Sequence, residues 1–190
     1  MTNISNIKFP VISIIGSHAG QTKEEIFDRK IKDIHNTGIT FWLMKSYKAK
    51  PQLVQQLCLK NNNDNYCIFI EGSSKNSVTP TKIACCAENY SKDKLIWNTF
   101  SNKLSPVTGK IGSNAYALVF DQLEIINDTI DLWQYADFFN KDNPIKIILG
   151  TSTICAIRKD MSNHHDKIKT NFRKINAIGR LCEPFCVYLK

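Results

Sequence analysis

Ile39-Thr-Phe-Trp-Leu-Met-Lys-Ser46 is an apolar run that ends in two polar residues, and it directly follows Gly38. Its β-branched and aromatic content over a short length reads as a buried strand. Gly38 reads as the left-handed stop of a preceding helix. Upstream, Thr22 and Glu25 have capping-box spacing, and Ile26, Phe27, Lys30, Ile31 and Ile34 form one stripe broken by a single lysine stem. Earlier still, residues 11–16 are a β-branched run between Pro10 and Gly16, a second buried strand. Residues 11–44 therefore read as a βαβ unit with a parallel, right-handed crossover.

Downstream, Pro51 opens a short helix carrying Leu53, Val54, Leu57 and Cys58, which ends in an Asn-rich loop at 61–64. Residues 66–70 read as a strand, 72–80 as a polar loop, 81–87 as a strand and 115–126 as a long strand. Asp128 or Thr129 is placed to cap a helix bearing Ile130, Trp133, Ala136 and Asp137. Residues 145–157 read as a strand interrupted at Gly150. Residues 163–180 read as a final helix with Ile168, Phe172, Ile175 and Ile178 inward, and 184–189 as a closing strand. The expectation is a mixed α/β single domain over 1–190, about seven strands and four helices around one sheet.

The 190 residues are 43% hydrophobic and 22% charged, the composition of an ordinary globular chain. No apolar run approaches the ~20 residues needed to cross a bilayer, and the run at 9–15 is too short for a signal-peptide core. A cytoplasmic protein with no membrane partner is expected. The seven cysteines are odd in number, include no C-x-x-C pair and sit mostly in apolar runs, which suits reduced, buried thiols. Cys182 and Cys186 with His164 and His165 match no standard zinc spacing, so neither metal nor cofactor is expected. The net charge is +8, and residues 158–190 hold eight Lys or Arg against three acids. That asymmetry suits a nucleic-acid partner, with Arg158, Lys159, Lys169, Arg173 and Lys174 on the phosphates. A Lys-, Asn- and Ile-rich composition produces the same charge with no partner at all.

Phe41-Trp-Leu-Met-Lys-Ser46 resembles the opening strand of EVE domains, a branch of the PUA-like fold. A second, looser match runs through Phe69, Ser73, Pro80, Ile83-Ala84, Tyr90, Asp93 and Trp97. Tyr47 and Lys48 stand where that motif continues with Glu-Pro, and only 27 positions separate Trp42 from Phe69. The resemblance covers about residues 40–126. It implies a PUA-like, partly open barrel, with 1–38 as an N-terminal βα extension, that recognises a modified base in an aromatic pocket. By position it implies Trp42, Lys45, Ser46 and Ser73 as ligand-binding residues. Trp42 equally fits a core position in an apolar strand.

An enzyme reading stands beside it. Ligands in open α/β sheets bind beyond the carboxyl ends of parallel strands. Those ends carry Ser17 and His18, Lys45 and Ser46, and Glu71, with Ser17, His18 and Glu71 as catalytic candidates acting on a nucleotide or phosphorylated small molecule. The loop at 16–20 has neither Walker A nor dinucleotide glycine spacing. A third reading is a protein-interaction module whose basic C-terminal face, at Arg173 and Lys174, docks an acidic partner.

Overall fold

The computed structural model describes residues 4–15, 22–44, 47–61, 65–72, 90–91, 96–97, 116–144, 153–160 and 170–189. Its elements are β1 (Val11–Ile15), α1 (Lys23–Thr37), β2 (Thr40–Met44), α2 (Pro51–Leu59), β3 (Tyr66–Glu71), β4 (Tyr90–Ser91), β5 (Ile96–Trp97), β6 (Tyr116–Asp131), β7 (Tyr135–Asp137), β8 (Asn140–Pro144), β9 (Thr153–Arg158) and β10 (Phe172–Leu189). This is a mixed α/β chain with one open sheet. Its main path runs β2-β6-β10-β3-β1-β9-β7-β8, and the short β4 and β5 join beside β10. The count is ten strands and two α-helices among the described residues, against the seven and four expected.

The N-terminal third forms as its sequence dictates. Thr22 Oγ1 accepts from the Glu25 amide (3.2 Å), Glu25 Oε2 accepts from the Thr22 amide (2.7 Å), and Gly38 ends α1 at φ +82°. The parallel crossover from β1 to β2 is not what these elements build, however. β1 pairs in parallel with β3, and β6 and β10 lie between β3 and β2. Each of those intervening pairings is antiparallel, so β2 runs opposite to β1. The helix buries its stripe without the two strands needing to be neighbours.

Two further expectations are corrected. Residues 172–180 are not helical but part of β10, the centre of the sheet, paired with β3 on one side and β6 on the other. Opposite β3 the register advances two residues on β10 for one on β3, at Ile175/Ala177. That bulge turns Ile175 and Ile178, three apart, to the same buried face, and three-residue spacing is what imitates a helical stripe. The inserted Asn176 is buried, and its Nδ2 has no hydrogen-bond partner among the described residues. Likewise the helix expected after Asp128 is one 3-10 turn, Leu132–Gln134, between β6 and β7. Asp131 caps it by accepting from the Trp133 amide (3.1 Å). Pro184 fits inside β10 because the five steps from Leu181 to Cys186 there match only two steps, Phe120 to Leu118, on β6. The strand expected at 81–87 and the polar loop at 73–80 lie outside the described residues.

That 3-10 turn sets the shape. β6 and β7 are five strand positions apart in the ladder, about 24 Å if the sheet were flat at ~4.8 Å per strand. The link from Asp131 to Tyr135 reaches at most about 14 Å at ~3.5 Å per residue. The sheet therefore curls. Its concave side holds one cluster, Ile12, Ile14, Ile68, Ile70, Ile130, Tyr135, Ala156, Ile175 and Ile178, drawn from all six strands between β6 and β7. The convex side carries α1 and α2 over a second cluster with Phe27, Met44, Leu57, Phe69, Leu118 and Phe120, Met44 coming from the edge strand β2. Four thiols, Cys58, Cys67, Cys155 and Cys186, are free and buried in this second cluster. Burial pushes Cys58 up to about 12 and raises the others.

Gly179 is where the convex layer presses closest. It pairs with Leu123 and Cys67, and a Cβ there would lie 2.6 Å from Phe120 Cδ1 and 3.2 Å from Leu123 Cδ1. Phe120 is 1% exposed and has no room to retreat. Gly179→Ala is expected to cost about 1–3 kcal/mol by overpacking, read as a lower midpoint in urea at unchanged slope. An unchanged midpoint would show that Phe120 can repack.

Candidate nucleic-acid interface

Of the residues expected on the ligand, Trp42 alone lies among the described ones. Trp42 is half-buried on the convex layer, its indole stacked on Phe27 (5.9 Å, 21°) and tilted against Phe69 (4.5 Å, 55°). Its ring is part of the core. β2 ends at Met44, which pairs with Tyr116, and Tyr116 pairs with Tyr188. Glu71 ends β3 at the other limit of the ladder, next to Ile70, which pairs with Ile175. The carboxyl ends of β1 and β3 do meet, with the Gly72 amide donating to Ile15 O at 3.0 Å. By register, β2 points its carboxyl end away from them, so the three-strand cleft does not form. Ser17, His18, Lys45, Ser46, Ser73 and Lys169 lie outside the described residues.

Glu71 is not poised as a base. Lys23 Nζ, in the first turn of α1, donates to its Oε1 at 2.6 Å. That hydrogen bond, with the charges of Lys23 and Lys174, holds the carboxyl below its ordinary value. A depressed carboxyl stabilises the fold above its unfolded value, and the contribution is lost as pH falls through the folded value. With the side chain 46% exposed, the effect is small. Carbon-detected NMR titration should find Glu71 below the usual glutamate range, and Lys23→Ala should raise it back. A normal value in the wild type would dissolve the pair.

The basic residues at the C-terminus divide around the 3-10 turn. The Leu132 amide donates to Asn171 O (3.0 Å), and the Lys159 amide donates to Gln134 O (2.7 Å). Arg173 and Lys174 lie at the start of β10 on one side, with Arg158 and Lys159 at the end of β9 on the other. Arg158 Nη2 donates to Gln134 Oε1 (3.0 Å), and Lys159 Nζ lies 5.7 Å over the Trp133 ring. Arg180 is committed elsewhere, in a bidentate pair with Asp121 at 2.8 Å for each bond.

Arg158 and Lys159 belong to a larger face that the sequence reading passed over. The Arg158 amide donates to Lys8 O (2.8 Å), which brings the amino end of β1 alongside. Lys8 Nζ is 5.5 Å over the Phe9 ring, and Phe9 meets Phe138 edge-on at 5.8 Å. Lys60, at the end of α2, places Nζ 5.5 Å over Phe138. Asn61 Nδ2 donates to Phe9 O (2.9 Å), tying that end of α2 to β1.

Phe138 and Phe139 form the turn between β7 and β8, and Asp137 fixes it. Its Oδ1 accepts from the Phe139 amide (3.0 Å), and Lys48 Nζ donates to its Oδ2 at 2.7 Å. The Phe138 amide donates to Cys155 O (3.0 Å). Phe138 is thereby turned in, 8% exposed, and Phe139 out, 43% exposed. Gln56, Leu59, Lys60, Phe138, Phe139 and Lys141 line an open groove of about 530 Å³. The sequence signal was a Phe-Phe pair inside a turn otherwise made of Asp, Asn and Lys.

Among the described residues no group of three or more His, Cys, Asp or Glu is placed to hold a metal ion. Cys186 is buried with Sγ 3.9 Å from Ala49 O, and burial pushes Cys182 up to about 11. No helix of the described residues is long and apolar enough to cross a membrane. No protein-family model, curated protein or solved structure matches the chain.

Proposed function

We propose that this chain binds nucleic acid, or a ligand carrying a nucleobase, on the face formed by the start of β1, the end of α2, the β7–β8 turn and the end of β9. The observation that carries the reading is the interleaving of cations and rings. Lys8, Lys60 and Lys159 sit over Phe9, Phe138 and Trp133, while Phe139 stands exposed beside Lys60 and Lys141. Lysines supply the sequence-independent attraction to phosphate, and exposed rings supply stacking. Lys60 and Lys141 make no ion pair among the described residues, so their charge is available to a ligand.

The EVE resemblance points to the same class of ligand. The location differs, because the ligand is read by Phe139 and its lysines while Trp42 holds the convex core.

Fluorescence-anisotropy titration with oligonucleotides, from low to physiological salt, tests this. Affinity should fall as salt rises, and Lys60→Ala or Lys141→Ala should each flatten the log–log slope by about 0.7 on a single strand. Trp42→Ala should lower stability by up to about 3 kcal/mol, the low end for a tryptophan because the ring is only half-buried, and leave the affinity of the folded protein unchanged. Absence of binding at low salt would overturn the proposal. Loss of binding in a folded Trp42→Ala variant would move the site to β2.

A further inference from the structure

We infer that the groove takes single-stranded nucleic acid, with one unpaired base set against Phe139 and Leu59 and its flanking phosphates held by Lys60 and Lys141. This rests on the nucleic-acid reading above and narrows its ligand. Two of the four large apolar side chains exposed among the described residues, Leu59 at 78% and Phe139 at 43%, line this one groove. Their apolar surface has a use if a base face covers it. In a duplex every base face is already stacked on its neighbours, so a double strand offers the lysines its phosphates and Phe139 nothing. An unpaired base offers both.

Phe139 is also held still. Its amide is fixed by Asp137, and its ring meets Phe138 edge-on at 4.7 Å. Phe138 is wedged in turn against Phe9 and beneath Lys60. A ring already packed on one edge gives up less side-chain freedom when a base covers it than a free one would, so more of the stacking energy appears as affinity. The volume of about 530 Å³ falls within the usual range for small-ligand sites and holds a base without holding a helix. Gln56, on the lining, offers both a donor and an acceptor to a base edge.

The charges decide against a second copy of the chain as occupant. An isologous contact centred on the groove would bring Lys60 and Lys141 against their own counterparts, like charge facing like, with no acid among the described residues of the lining to relieve it.

The test compares three labelled probes of about 12 nucleotides, a length within the range of single-strand site sizes: oligothymidylate, the matching duplex, and a strand of abasic units. Each is titrated at physiological salt into the full chain and into Phe139→Ala, Leu59→Ala and the Lys60→Ala/Lys141→Ala double variant, with circular dichroism confirming folding. Oligothymidylate should bind about tenfold tighter than the duplex. Loss of the bases and loss of Phe139 should each cost about tenfold, the value of one stacked base, and together no more than either alone. If duplex and abasic strand bind as well as oligothymidylate while the lysine double variant fails, the inference is overturned and the broader nucleic-acid reading stands. If Phe139→Ala and Leu59→Ala both leave every affinity unchanged, the inference is likewise overturned. If no probe binds even at low salt, or only anionic lipid vesicles do, both readings fall.

Discussion

The three residues of the turn at Leu132–Gln134 join two strands that the sheet holds five positions apart, and no flat sheet can satisfy that link. Curling shortens the distance, and the register shows how it is distributed. By the pairings along the ladder, Asp128 of β6 is level with Ile14 of β1, while Ala136 of β7 is level with Phe9. A stagger of this kind is what a sheet needs in order to tilt its strands and roll. The interior of the roll is then a narrow space for branched side chains, and isoleucine fills most of it. The same roll forces the convex layer close at Gly179, where the Phe120 ring takes the place of a Cβ. Shape, the composition of the inner cluster and the close approach at Gly179 follow from one short connection.

How far this was legible from the sequence depends on how local the deciding interactions are. The boundaries of α1 were legible because Thr22, Glu25 and Gly38 act within a few residues of one another. β1, β2, α2 and β3 were legible from short apolar runs bounded by Pro, Gly and Asn. β10 was not. Its bulge at Asn176 exists only relative to β3, a partner about a hundred positions away, and the resulting three-residue spacing of Ile175 and Ile178 is identical to a helical one. The order of strands was illegible for the same reason, since β2 and β1 are adjacent in sequence but separated by three strands in space. For the site, Arg158 and Lys159 stood out by charge, but their neighbours Lys8, Lys60 and Phe138 come from three other segments. Only the cross-strand hydrogen bonds gather them.

Burial treats the chain's polar and soft groups unevenly. Ser13 and Thr153 share a hydrogen bond of 2.9 Å inside the sheet, so two buried hydroxyls satisfy each other across β1 and β9. Four thiols share the convex core with no disulfide, and burial disfavours the charged form of each. A thiol that resists ionisation is a poor nucleophile and a poor metal ligand, so this cluster behaves as packing. Most charged side chains of the described residues lie instead at the surface.

That surface is electrostatically asymmetric along β1. At the carboxyl end Lys23 is taken up by Glu71, so a cation beside a helix N-terminus is neutralised before any anion arrives. At the amino end Lys8, Lys60 and Lys159 rest on aromatic rings, an attraction of about 0.5–1 kcal/mol at exposed sites that leaves the full positive charge in place. An ion pair cancels a charge, whereas a ring only orients it. A lysine held over a ring is thus both positioned and still able to attract phosphate. Sequence charge alone pointed to the C-terminal third of the chain. The site proposed above lies instead at the amino end of β1, where Lys8, Lys60 and Lys159 rest on rings and make no ion pair among the described residues.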